Sequence, residues 1–141
     1  MTPHLKPTQR DARRLQTRER ILGAAIAEFQ RAGTAGAEVN TIVAAAGVAH
    51  GTFYFHYPSK EHVLLELVRR EEARVATAFG RFLDHRHDLR SALAEVITLV
   101  IGIERRFGPI LFKEILALHF SPSRPDPEDW TDPRGDRATR P

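Results

Sequence analysis

The stretch Glu38 to Tyr57, "EVNTIVAAAGVAHGTFYFHY", decides how the chain is read: it places a short helix, a glycine and a second short helix within twenty residues. Two helices that cross steeply need a tight turn, and Gly47 can supply it, with Ile42, Val48 and Phe53 as apolar pins for the crossing. The helices are predicted over about residues 39–46 and from 50 to just before Pro58, because the residue before a proline is pushed out of helical geometry. The outward side of the second is expected to carry His50, Thr52, Tyr54 and His56, whose hydroxyl and imidazole groups suit base edges. Its first turn is expected to offer backbone N–H groups to phosphate. Tyr54 and Phe55 are adjacent, so they cannot both face one core, and at least one reaches solvent or a ligand surface. A helix free on one side in this way can enter a DNA major groove.

Working outward, Leu22, Ala25, Ile26 and Phe29 repeat at the spacing of one helical face, with Thr17 as a cap and Gly33 as a stop. Beyond Pro58, Ser59 is expected to cap a fourth helix reaching about Leu83, buried along Leu64, Leu67, Val68, Val75, Ala78, Phe79 and Phe82. The charged stretch Glu66 to Arg74 is its expected wet side. After the connector "DHRHD", Leu89, Leu93, Val96, Ile97, Val100, Ile101 and Phe107 form a fifth helix, apolar over much of its circumference. Such a helix is expected to be buried against neighbours or a partner subunit. Gly108 and Pro109 separate it from a sixth, Ile110 to Phe120. Only Pro58 and Pro109 fall between Thr8 and Ser121, whereas five prolines follow Phe120, so the body reads as all-α and residues 121–141 as a disordered tail.

Composition narrows the classes. With no cysteine, disulfides, thiolate metal sites and cysteine nucleophiles drop out, in keeping with a reducing cytoplasm. The proline- and arginine-broken start holds no signal-peptide core. The apolar run Val96 to Ile103 falls short of the roughly 20 residues a membrane span needs, so no membrane association is expected. Up to His62 there are eight Lys and Arg against five acids, and from Val63 on thirteen against thirteen, so the N-terminal part carries the whole net charge of +3. That placement suits a polyanion such as DNA and equally a solvated arm. There is no phosphate-cradling glycine loop, nucleophile elbow or acid pair near a histidine, so neither catalysis nor a cofactor is expected.

The segments "TRERILGAAIAEF" and "AGVAHGTFYFHYPSKEHVL", with the spacing between them, resemble the N-terminal domain of the tetracycline-repressor (TetR) family over about Leu15 to Val75. The family motif Gly-Thr-(Leu or Phe)-Tyr-x-His-Phe-x-Ser-Lys is matched here from Gly51 to Lys60, with Tyr57 in the place of its Phe. Carried over by position, the resemblance implies DNA contacts from Asn40, Thr41, Ala49, His50, Gly51, Thr52, Tyr54, Phe55, His56 and Lys60. It also implies a helical C-terminal domain that dimerises and binds a small effector. The expected organisation is a basic arm at 1–14, with Arg10, Arg13 and Arg14 on phosphate, the helix-turn-helix domain at 15–75, a partial effector and dimerisation domain at 76–120, and the tail. The implied function is a repressor, working as a homodimer on a near-palindromic operator.

Three features depart from the family. Relatives usually place Ser or Thr before the second and third helices, where this chain has Ala37 with Glu38, and Ala49; each lost cap costs about 1 kcal/mol. Val43 stands where the crossing usually takes alanine. Relatives also continue with further helices, which motivates an alternative: an interaction protein that pairs with a full-length relative and modulates it without binding DNA. A stand-alone ligand carrier would need a complete pocket that these helices do not assemble in sequence. Among weaker signals, His85 and His87 suggest a metal site or a wet loop, His50, His56 and His62 fall on different helical faces, and Trp130 stands alone in the tail. Gly80 and Gly102 either permit close approach or have no packing role.

Overall fold

A computed structural model describes residues 8–125, with helices α1 (Gln9–Gly36), α2 (Val39–Ala46), α3 (His50–His56), α4 (Lys60–Leu83) and α5 (Leu89–His119). The described part is all-α, as expected, and α5 packs on both α1 and α4. Residues 1–7 of the arm and 126–141 of the tail, Trp130 included, lie outside the described residues.

The first helix begins eight residues before Thr17, because Thr8 and Asp11 form a reciprocal capping box at its start. The Thr8 side-chain oxygen accepts from the Asp11 N–H at 3.2 Å, while Asp11 Oδ2 accepts from the Thr8 hydroxyl at 2.6 Å and from the Thr8 N–H at 3.1 Å, and the two bonds to the carboxylate, the hydroxyl's first, hold the Asp11 carboxyl below its ordinary pKa. Residues 9–14, expected in the arm, are therefore helical. Ile21, Leu22, Ala25 and Phe29 point inward, with Ile26 half-buried beside them. Gly33 breaks the helix with φ 71°, where a Cβ would stand 3.3 Å from Glu114 of α5. Across that break, Glu114 accepts from the Thr34 N–H at 3.0 Å and from its hydroxyl at 2.9 Å, fastening α1 to α5.

The short helices lie where the sequence places them. Gly47 adopts φ 66°, with Val48 N–H donating to Val43 C=O and Gly47 N–H to Ala44 C=O, the paired bonds of a left-handed helix ending. Neither Glu38 nor Ala49 makes a side-chain cap, so both departures in capping are real. Ser59 holds the cap position of α4, yet its hydroxyl pairs with His62 Nδ1 at 2.8 Å instead of a backbone N–H.

Along α4 the buried face is strongest in the first half, where Val63, Leu64, Leu65, Leu67 and Val68 are enclosed. Val75, Ala78, Phe79 and Phe82 are only half-buried, because this end leaves the three-helix core and faces α5 alone. Glu71, expected on the wet side, is buried and compensated by Arg74 at 3.0 Å and by Arg106 of α5 at 2.5 Å.

The fifth and sixth helices are one element interrupted at Gly108 (φ 79°), with Pro109 starting the second part. An Asp88–Ser91 capping box starts it. In this helix Ile103, Phe107, Leu111 and Ile115 are buried, while Leu89, Leu93, Val96, Ile97 and Ile101 are exposed, so of the burial expected against neighbours or a partner subunit the described chain supplies one side. Helices α1 and α4 cover one side of α5 and nothing in the described chain covers the other. Arg124, read as part of a disordered tail, binds Glu72 of α4, with its second nitrogen at 2.8 Å. No helix among the described residues is long and apolar enough to cross a membrane.

Candidate nucleic-acid interface

Seven residues make α3, and the 3.6-residue repeat divides them sharply. Phe53 and His56 turn inward, as does Tyr57 just past the helix end, with Phe53 and Tyr57 fully enclosed, while His50, Gly51 and Tyr54 face out. Tyr54 is 48% exposed, and its ring meets His50 edge-on at 6.2 Å, one helical turn away. Asn40 and Thr41 of α2 and Ala49 before α3 are exposed as well. The exposed candidates thus lie on α2, on the turn and on the first two turns of α3.

Four of the expected contacts stand elsewhere. His56, expected outward, is 4% exposed: it lies next to Tyr57 on the inner side, and an outward place for positions 50, 52, 54 and 56 together would need a two-residue repeat. Thr52 is half-buried. Phe55 is half-buried too, with the Arg14 guanidinium over its ring at 5.4 Å. Lys60 donates to the carbonyls of Ala35 and Ala37 at 3.0 and 2.9 Å, so its ammonium closes the link between α1 and α2. Arg10, Arg13 and Arg14 are exposed on the first turns of α1.

What holds α3 in place is a polar network that the sequence reading missed. Arg18 of α1 donates to the His56 carbonyl at 2.7 Å, lies over the Tyr57 ring at 4.2 Å, and reaches Glu66 of α4 at 3.3 Å. The Tyr57 hydroxyl donates to the other oxygen of Glu66. Arg70 joins Glu66 at 3.2 Å to Glu19 of α1 at 2.5 Å, and that pairing raises the Arg70 pKa and lowers that of Glu19. Arg20 closes the turn from the other side, donating to Ala46 C=O at 2.7 Å and Gly47 C=O at 3.2 Å. Of these, only the Glu66–Arg70 pair, at i and i+4, has a local signature; Arg18 meets Glu66 across 48 residues of sequence.

Farther along α4, an apolar cavity of about 380 Å³ opens between α4 and α5. Val68, Val75, Phe79, Val100, Ile103 and Ile115 are among its walls, and Glu71, Glu72 and His119 supply polar groups. Glu72 accepts from Arg124 and is joined by His119 Nδ1 at 2.7 Å, which holds its carboxyl below the ordinary range. The histidines of the connector stay local: His85 Nδ1 meets Arg81 C=O at 2.9 Å and His87 Nδ1 meets His85 C=O at 2.8 Å. No cluster of three metal-ligating side chains occurs among the described residues.

Residues 21–67 match the model of a family described as bacterial regulatory proteins, tetR family. The fold is similar to the crystal structure of a gamma-butyrolactone receptor (ArpA-like protein), with TM-score 0.59 and 28% sequence identity, over 86% of this chain and 61% of that one. The match thus spans less than two thirds of the receptor's length.

Proposed function

We propose, from the match of residues 21–67 to the tetR family of bacterial regulatory proteins, that the chain is a ligand-responsive repressor of that family, with its DNA-binding helix-turn-helix domain toward the N-terminal end. It acts in the cytoplasm, as a homodimer on a near-palindromic operator. The observation that carries the reading is the outward face of α3: His50, Gly51 and Tyr54 are exposed, beside Asn40 and Thr41 of α2, on a helix clamped from behind. A rigid short helix of this kind puts side chains into a major groove while cations on α1 meet the backbone. Half-sites separated by about one helical turn, roughly 34–36 Å, fit two such helices related by a two-fold axis.

The cavity between α4 and α5 takes the effector, a small and largely apolar molecule with one polar end. The similar receptor is named for gamma-butyrolactone, and a molecule of that size and polarity fits these walls. Coupling runs through α4. Glu71 and Glu72 border the cavity, and Glu66 and Arg70, within two turns of them, hold the end of α3. A ligand that displaces this part of α4 therefore changes the angle at which α3 is presented.

Selection of bound fragments from random DNA tests the reading: recovery of one near-palindromic sequence, retained in a salt-sensitive way, is the expected result. No enrichment, with capture of a longer relative instead, selects the second reading, an interaction protein that does not bind DNA. That reading draws its support from the exposed apolar side of α5.

A further inference from the structure

A smaller cavity, of about 200 Å³, opens between α1 and α4 and is lined by Arg18, His62, Leu65, Glu66 and Arg69. The α4 members stand on one face of that helix, at three, four and seven residues from one another, and Arg18 approaches from α1. Leu65 is enclosed, while the four polar side chains are half-buried, so a solute can reach them from water.

Arg69 is set apart from the other cations of this region. Its Nε and Nη2 are both buried, and neither meets an acceptor among the described residues. These two nitrogens make up one edge of the guanidinium, the edge that offers paired N–H groups to two oxygens of a single anion. Buried donors of a cation are costly without acceptors, so an occupant with two oxygens supplies what the chain itself does not. Glu66 is no substitute, because Arg18 at 3.3 Å, Arg70 at 3.2 Å and the Tyr57 hydroxyl already share its carboxylate. With Arg18 and Arg69 against Glu66, the walls carry a net positive charge.

We propose that this cavity binds a small oxyanion, a phosphate or carboxylate group, held at two oxygens by the Nε and Nη2 edge of Arg69 and facing the charge of Arg18. The volume lies below the roughly 300–1,000 Å³ of pockets that take drug-sized molecules, so the occupant is small. Its charged walls also separate it from the apolar cavity between α4 and α5, which suits a different kind of molecule. The ion would sit beside the clamp on α3, since Arg18 also holds the His56 carbonyl and Glu66 the Tyr57 hydroxyl. The site stands whether or not the chain acts on DNA.

Calorimetric titration of the full chain tests it, with sodium phosphate and with succinate as probes, in a buffer free of other oxyanions and at an ionic strength held constant with chloride. Saturable binding of one ion per chain, in the millimolar range or tighter, is expected for at least one probe, and the tighter of the two identifies the group as phosphate or carboxylate. Arg69→Gln should weaken that binding by about tenfold or more. Arg69→Lys should weaken it by about tenfold, because an ammonium keeps the charge but offers no paired edge. Arg81→Gln, exposed on the same helix outside the cavity, should leave it unchanged. Circular dichroism confirms folding, and none of these substitutions removes a side-chain hydrogen bond found among the described residues. The absence of saturable binding by either probe overturns the proposal, and so does binding that Arg69→Gln leaves intact. A DNA arm separates the free ion from a phosphate of the operator backbone. Should the free chain bind neither probe while Arg69→Gln lowers the salt slope of DNA binding by about one, a backbone phosphate meets that edge and the proposal falls. Should the chain bind no DNA, the titration decides alone.

Discussion

Tyr57 is wholly enclosed where α1, α3 and α4 meet, and its hydroxyl donates to Glu66. Burial, then that bond, raises its pKa above the ordinary 10.0. A group whose folded pKa is raised stabilises the fold below the unfolded value and loses that contribution as pH climbs past it. Above pH 10 the wild type should therefore lose up to about 1.4 kcal/mol per pH unit more than Tyr57→Phe, as read by urea denaturation between pH 8 and 11.5. Equal slopes would contradict the burial of a neutral phenol. Ala49 gives a second test at this scale. It occupies the cap position of α3 with φ −76° and ψ 156°, the backbone a capping serine uses. Ala49→Ser should add about 1 kcal/mol, or about 3 °C of melting temperature, and no gain would count against the capping argument.

What the sequence disclosed at single positions followed from local chemistry. Gly47 and Pro58 bounded α3 because one permits a left-handed turn and the other forbids further helix. The sidedness of α3 was misread because choosing His50, Thr52, Tyr54 and His56 together follows the alternation of a strand; the helical repeat keeps His50 and Tyr54 and turns His56 inward. Lys60 was read from its place in a motif, and a motif does not disclose that two carbonyls left over at the end of α1 would bind its ammonium.

For the elements, placement was legible and partnership was not. The bounds of α2 and α3 are readable from glycine and proline, but the first turns of α1 are not, since Thr17 offers an equally good cap nearer the apolar repeat than the Thr8–Asp11 box that starts the helix. The link between α1 and α5 depends on Glu114, 80 residues from Thr34. Glu114→Ala would leave the buried Thr34 N–H and hydroxyl without an acceptor, and should cost about 2 kcal/mol in urea denaturation. Glu114→Gln should recover part of it, while no loss in the alanine variant would contradict the role of the link. Gly80 carries the opposite expectation. An added Cβ meets nothing within 4 Å, so Gly80→Ala should stabilise α4 by up to about 1 kcal/mol, and a lower melting temperature would mean that the glycine serves a contact outside this chain.

Across the whole molecule, the sequence discloses a helical body with its positive charge gathered at one end, and folding ties that end to α4, and α4 to α5, through ion pairs. These ties are not legible in the sequence because their partners are far apart along it: Arg18 with Glu66, Arg70 with Glu19, and Arg106 with Glu71. Apolar periodicity likewise discloses that α5 is apolar over much of its circumference, but not that one side of it stays exposed among the described residues. The central claim is that the exposed end of α3 reads DNA. Its most direct test is the affinity of Tyr54→Ala for the fragment selected by the wild type, measured across a salt series. The account predicts a loss of about tenfold or more at every salt concentration with the salt slope retained, because a base contact is removed and phosphate contacts remain. Unchanged affinity in Tyr54→Ala would contradict it.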